Sequence, residues 1–430
     1  MTAPPVTVLT AVDGEWEAPL VRGLEQHRDQ LQVVRRCADL ADVLATAGSG
    51  RARAAVVSAD LRGLDGDALA RLAASGCAVV ALTEPGDEWS ERRLRQLGLT
   101  TVLTVDATSA EVAAALRTAV DELDPDVAQE LTPVPAPDAP EPGAGRVVAV
   151  WGPQGAPGRT TTAVNLAAEL AACGQGTLLV DADTYAASLG QVLGLLDEAP
   201  GVAAAGRAAD HGSLDLPTLS RLAPAVAPGL RVLTGVSSAA RWPELRPASL
   251  ARVLTLARTL ASWCVVDVAA CLEQDEELVY DTAAPRRNGA TRTALDEADV
   301  VVAVGTADPV GLQRLVRGLQ ELADAGHRVD TVVVTRLRAS AVGSRSTSTG
   351  GPARRVTDAL QRYAGVDDLV LVPEDVPALD AALLAGRTLN ESAPASAARL
   401  AYQRLAQRLA GVPEPVQRRG RARVRRTVMA

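Results

Sequence analysis

The chain has 430 residues, 47% apolar and 22% charged, with a net charge of −9, which points to two folded domains and excludes an intrinsically disordered protein. It holds no apolar run of roughly 18 residues, and its start lacks a basic segment followed by an apolar one; neither a membrane span nor a secretory signal is expected. Three isolated histidines and five scattered cysteines without a CxxC pair argue against a metal-hydrolase centre or a disulfide framework, and suggest a cytoplasmic protein with reduced thiols.

Before residue 124, apolar runs at 6–12, 31–35, 54–58, 78–82 and 101–105 alternate with amphipathic stretches at 17–27, 40–47, 67–74, 90–97 and 109–123. Five β-α units predict a small parallel-sheet, flavodoxin-like domain over residues 1–123. Ser58-Ala-Asp-Leu-Arg-Gly-Leu-Asp-Gly66 and Leu82-Thr83 make it resemble a response-regulator receiver. In that register Ser58 stands at the phospho-acceptor place and Asp60 comes two residues late. The first strand ends Ala11-Val12-Asp13 instead of in an acidic pair, and no Lys follows the fifth. Phosphorylation of a receiver needs a carboxylate nucleophile and clustered acids around Mg²⁺. The expectation is therefore a degenerate, non-phosphorylated domain that recruits a protein partner. A phosphorelay regulator with an ATPase output is the reading that Ser58 disfavours.

Residues 124–145 interleave six prolines with acidic residues, the composition of an extended, semi-rigid spacer. Beyond it, strands are expected at 146–151, 177–181, 231–233, 264–267, 300–304, 331–335 and 369–372, as near-continuous Val/Leu runs suited to a parallel sheet covered on both faces. Helices are expected at 160–172, 249–262, 310–325, 354–363, 378–384 and 397–409, and a Ser/Thr/Gly-rich loop at 339–353. The second domain spans 146–412, and 413–430 form a tail with six Arg between Arg418 and Arg426.

The stretch Val147-Val-Ala-Val-Trp151-Gly-Pro-Gln-Gly-Ala-Pro-Gly158-Arg-Thr-Thr-Thr162 runs from a buried strand through a Gly-rich turn into a helix. That is the geometry in which backbone N–H groups and a helix N-terminus face a phosphate. Gly155 and Gly158 permit close backbone approach, Thr160 offers a hydroxyl to Mg²⁺, and Thr161 offers one to a phosphate. The usual Lys before the hydroxyl residue is Arg159. All 43 basic residues of the chain are Arg, so coding bias is one explanation for it. An Arg fork is nevertheless wider than a Lys ammonium.

Four further motifs follow in order: Leu178-Leu-Val-Asp181-Ala-Asp183, Cys264-Val-Val-Asp267, Ala298-Asp-Val-Val-Val-Ala-Val304 with Asp308-Pro309, and Leu371-Val-Pro-Glu-Asp375 with Ala385-Gly-Arg-Thr-Leu389. Together with the loop they resemble the MinD/ParA family of deviant Walker P-loop ATPases. The receiver-like domain ahead of them resembles the layout of CpaE/TadZ-type proteins, which localise pilus machinery. The resemblance implies a doubly wound P-loop NTPase fold, ATP and Mg²⁺ as cofactors, and an ATP-dependent homodimer. It implies a nucleotide site formed by Gln154, Gly155, Ala156, Gly158, Arg159, Thr160 and Thr161, with Arg336, Pro373 and Glu374 on the base side. It further implies metal support from Thr160, Asp181 and Asp267, and catalysis by Asp183 and Arg159.

Two departures bear on turnover. Gln154 stands where the family has the signature Lys that reaches a partner's phosphate, and Arg159 replaces the second Lys. Pro153 and Pro157 bring backbone without an N–H into the loop. ATP binding with slow hydrolysis is therefore expected, because a lost charge clamp on a transferring phosphoryl typically costs several kcal/mol of barrier. Septum-site or chromosome positioning, and a non-hydrolysing nucleotide-binding scaffold, remain alternatives to pilus localisation. The Arg tail suits a disordered solubilising end, an anionic membrane surface reached from the cytoplasm or at a pole, or weak nucleic-acid contact. The segment from Glu273 to Asn288 is either an acidic–basic contact surface at the dimer face or a solvated helix edge.

Overall fold

Both alternations of apolar run and amphipathic stretch fold into parallel sheets, each covered by helices on its two faces. The computed structural model describes residues 5–123, 145–155, 158–195, 201–273, 286–342 and 351–412. The expected spacer and the Arg tail fall outside these residues, apart from Gly145.

In the first unit, β1 (Val6–Ala11), β2 (Leu31–Arg36), β3 (Ala54–Ser58), β4 (Ala78–Thr83) and β5 (Val102–Thr104) lie in the order β2-β1-β3-β4-β5. All pairs are parallel, and this is the flavodoxin-like order. The central strand β3 is buried along its whole length. Successive residues of β1 enter opposite layers, Val8 the core that holds Leu24 and Leu116, Leu9 the core that holds Val43 and Leu72, as the period of two requires.

The second unit contains β6 (Arg146–Trp151), β7 (Thr177–Ala182), β8 (Ala225–Ala227), β9 (Leu230–Leu233), β10 (Trp263–Val268), β11 (Val300–Thr306), β12 (Thr331–Leu337) and β13 (Leu369–Pro373), ordered β13-β12-β11-β6-β10-β7-β9-β8. The expected strands are all present and pair in parallel, and β8 adds an antiparallel edge. Sequence reading missed β8 because Ala225-Val-Ala is short and follows Pro224. It also missed the helix Gly201–Asp210, whose Gly/Ala run has Val202 as its one larger apolar side chain to mark a buried face.

Strand order brings the chemistry to one edge. β6 and β10 are adjacent, and Asp267 of β10 pairs in register with Val150 of β6 and with Asp181 of β7. The carboxyl ends of β6, β7 and β10 thus meet where open α/β sheets place their ligands. The helix Arg159–Ala172 packs over this edge with Thr162 to Leu170 all buried.

The two units touch. Arg246 reaches Asp65 at 2.7 Å. Arg93 donates to the carbonyls of Ala59 and Leu64 in its own unit and of His211 in the other. Among the described residues no helix is long and apolar enough to cross a membrane.

Candidate functional site

The turn after β6 is shaped by two glycines with positive φ, Gly155 at 73° and Gly158 at 108°, a region that side-chain-bearing residues avoid. At Gly158 a Cβ would also come within 3.0 Å of Thr335 Cγ2. The helix Arg159–Ala172 follows with no side-chain cap on its N-terminus, so its first N–H groups and its dipole face the turn, an arrangement that attracts anions. Ala156 and Pro157 lie outside the described residues. Gln154 is exposed on the turn.

Behind the turn sit three carboxylates, all nearly inaccessible: Asp181 at 1%, Asp183 at 3% and Asp267 at 1% exposure. Their environments differ. Thr160 donates its hydroxyl to Asp267 Oδ2 at 2.6 Å, while Asp267 Oδ1 is buried without a hydrogen-bond partner. Burial, and then the charge of Asp181 alongside, push the Asp267 carboxyl well above the usual range. Asp181 is raised by burial too, although backbone N–H groups of Leu189, Ser188 and Asp183 donate to it and partly offset the effect. Those three amides make Asp181 an anchor for the segment after β7, with its oxygens already occupied.

Asp183 accepts the guanidinium of Arg159 at 3.1 Å and the backbone N–H groups of Tyr185 and Ala186. Arg159 makes a second bond, to the carbonyl of Gly152, at 3.3 Å. The cation expected to face a phosphate is therefore bound to protein groups on both sides. The same segment is clamped from outside by Arg287, which donates to Thr184 and stacks 3.5 Å above the Tyr185 ring. Tyr185 itself donates to Asn288. These are the described ends of the segment expected as a contact surface; residues 274–285 lie outside the description.

The residues assigned to a base line a cleft of about 550 Å³ beside the turn, with Gly158, Thr161, Arg336, Pro373 and Glu374 on its walls. Arg336 has φ 54°, the sole non-glycine residue with positive φ in the described chain. An arginine held there marks a strained position of the kind found at ligand sites. Glu374 is paired with Arg338 at 2.6 Å. Asn165 is a further residue of this wall that the sequence motifs do not single out. Its amide donates to the Thr161 carbonyl and accepts the N–H of Leu389, so it joins the first turn of the phosphate-facing helix to the far wall. An Asn set among the Ala, Val and Leu residues that follow the loop was the signal available.

The chemistry of the donor set can be tested against Mg²⁺. Among the described residues no group of three or more His, Cys, Asp or Glu side chains is arranged to hold a metal. One carboxylate with a free buried oxygen and one adjacent hydroxyl does fit Mg²⁺, which commonly takes one or two protein ligands and fills its octahedron with water and phosphate oxygens.

In the first unit, Ser58 is buried and its hydroxyl accepts the backbone N–H of Asp13 at 2.8 Å, while Asp60 is exposed. The place of a phospho-acceptor is thus filled by a hydroxyl already used in holding β1 to β3. Incubating the full chain with a small phosphodonor and Mg²⁺ should leave its intact mass unchanged. Stoichiometric addition of one phosphoryl group at Asp60 would show the opposite.

No protein-family model matches the sequence, and no curated protein matches it. Among solved structures the chain is similar to a ParA family ATPase from Chlorobium tepidum, at 18% identity and a TM-score of 0.50, over 62% of this chain and 99% of that one. It is also similar to the cell division ATPase MinD of Pyrococcus furiosus, at 20% identity and a TM-score of 0.48, over 63% and 100%. A third is the septum site-determining protein MinD of Pyrococcus horikoshii complexed with Mg-ADP, at 21% and 0.46, over 62% and 98%. At such identities the likeness is one of fold: the chain contains the α/β fold of the ParA-family ATPases.

Proposed function

We propose that the chain is a nucleotide-dependent positioning protein of the MinD/ParA type, with the layout of the CpaE/TadZ proteins, that binds ATP with Mg²⁺ and turns it over slowly. The observation that carries this reading is the pairing of Thr160 with Asp267 beneath an uncapped helix N-terminus, with one Asp267 oxygen left free. In this reading Gly155, Ala156, Gly158 and the N–H groups of Arg159, Thr160 and Thr161 cradle phosphates. Thr160 and Asp267 hold the cation. Asp181 fixes the segment that carries Asp183, and Asp183 is placed to orient water. Arg336, Pro373 and Glu374 receive the base. Bound Mg²⁺ would neutralise phosphate oxygens during transfer. ATP would favour a homodimer, and the first unit, joined to the second through Arg93 and Arg246, would recruit a protein partner.

Slow turnover follows from the cations. Gln154 carries no charge, and Arg159 must leave Asp183 before it can serve a phosphate. A turnover of minutes or longer per event is expected, far below the usual enzyme range of roughly 1–1000 per second. Titration of the full chain with labelled ATP and Mg²⁺ tests the reading. Saturable binding in wild type, much weakened in Arg159→Ala, is expected. Absence of binding at millimolar ATP would leave a scaffold with a vestigial site. Gln154→Lys with Arg159→Lys should accelerate hydrolysis.

A further inference from the structure

A nucleoside triphosphate brings its greatest charge at the terminal phosphate, and neither loop position that usually meets it offers a free cation. Gln154 is neutral, and Arg159 is engaged by Asp183 and Gly152. A third position does. Arg314 lies on the helix Pro309–Asp324, and its guanidinium rests on the face of Gly155, in the space that a Cβ would occupy. Loss of that Cβ is what lets the cation onto the turn.

The placement is held by packing. Asp308 caps the helix by accepting the Gly311 N–H at 2.9 Å, and Leu315 is fully buried. One turn beyond Arg314, Gly318 sits so close to Trp151 and Pro153 that a Cβ would be 2.8 and 3.1 Å from them. The helix is thus seated against the strand that feeds the loop. Arg314 shares with Gln154 and Gly155 the wall of an open cleft of about 1000 Å³. Glu273, Glu321 and Asp324 also line that cleft, yet among the described residues Arg314 makes no ion pair.

Resting on the nucleotide-binding reading, we propose that Arg314 supplies, within one chain, the positive charge to the terminal phosphate that Gln154 cannot. A guanidinium is suited to this because it remains charged at all working pH values and can donate two parallel bonds to a phosphate. Its contribution falls on the third phosphate, so it should separate triphosphate from diphosphate binding.

The test is binding of Mg²⁺ with ATP and with ADP to the full-length wild type, Arg314→Ala and Arg314→Lys, followed by calorimetry and by melting temperature. Arg314→Ala should weaken ATP about tenfold or more, as expected for one charge-assisted contact, with ADP changed less than about threefold. Its ATP affinity should also depend less steeply on salt. Arg314→Lys should recover part of the loss. Melting without nucleotide should stay close to wild type, because the side chain is exposed. Equal weakening of ATP and ADP, or no weakening of ATP, overturns the assignment. If Thr160→Ala abolishes ATP binding while Arg314→Ala does not alter it, this inference falls and the nucleotide site stands. A wild type that binds neither nucleotide removes both.

Discussion

Asp267→Asn is expected to raise the melting temperature of the nucleotide-free protein and to abolish the effect of Mg²⁺ on nucleotide binding. The wild-type carboxylate is fully buried, lies in register beside Asp181 and leaves one oxygen without a partner. Burying a charge without compensation destabilises a fold, and substitution by a neutral isostere should gain roughly 1–3 kcal/mol. For a unit of this size that corresponds to several degrees, at about 2–4 °C per kcal/mol. The amide oxygen of Asn can still accept the Thr160 hydroxyl, so the helix start should hold its place.

The gain should depend on pH in a definite direction. Burial and the neighbouring Asp181 raise the folded-state Asp267 above its ordinary value of 3.8. The stabilisation associated with a raised carboxyl is complete below the unfolded value and is lost as pH rises through the folded one. Asn does not titrate, so its advantage over Asp should be smallest in acid and grow toward neutral pH. Thermal melts of both proteins across that range, paired with ATP titrations with and without Mg²⁺, would check this. An Asn variant that is less stable at neutral pH, or that keeps its Mg²⁺ response, would show that Asp267 is satisfied without a cation.

Arg399→Ala should be among the most damaging single changes outside the loop. Arg399 donates to both oxygens of Glu169, at 2.7 and 2.9 Å, with the Glu169 side chain only 2% exposed. It ties the last helix, Ala397–Leu409, to the helix that begins at the phosphate loop. Burial already pushes the Glu169 carboxyl upward, and Arg399 opposes that shift. Truncating the arginine leaves a buried carboxylate alone, a change that costs about 3–5 kcal/mol. Adding Glu169→Gln should recover a large part of the loss. Without its cation, Glu169 rises further, so the damage should be mild in acid and greater at pH 8, where the carboxyl must ionise or stay protonated at a cost. If the double variant melts as low as the single one at every pH, lost packing rather than charge explains the effect. Arg399 also donates to Asn390 in the short helix whose first N–H reaches Asn165. Nucleotide affinity should therefore fall well below the melting temperature.

The strands of the second sheet, the short one at 231–233 apart, were legible because each is a Val/Leu-rich run long enough to read as a buried strand, and because turns, caps or prolines bracket them. β8 was not, since an edge pairing of three residues depends on what lies beside it rather than on its own pattern. The loop was legible from Gly155, Gly158 and Thr160, whose residue types are demanded by backbone geometry and by a hydroxyl at a helix start. The partner of Arg159 was not, because Asp183 is far along the chain and adjacent only through the pairing of β10 with β6 and β7. The family resemblance implied metal support from Asp181 as well. Its oxygens are occupied by backbone N–H groups, Oδ2 from Leu189 and Ser188 and Oδ1 from Asp183, donors whose direction no side-chain pattern reveals.

Sequence by itself determined the two β-α alternations, the flavodoxin-like character of the first unit, the strand-turn-helix of the loop and the loss of both lysines from it. These are local properties, set by side-chain period, by the φ that glycine alone tolerates and by residue identity. Tertiary structure alone decided which charges meet: Arg159 with Asp183, Thr160 with Asp267, Arg399 with Glu169, and Arg314 with the face of Gly155. Strand order and helix packing bring these groups together across long separations in the chain. Whether a buried charge is neutralised, anchored or left free depends on distances of a few ångströms, since electrostatic energies inside a protein change steeply over that range.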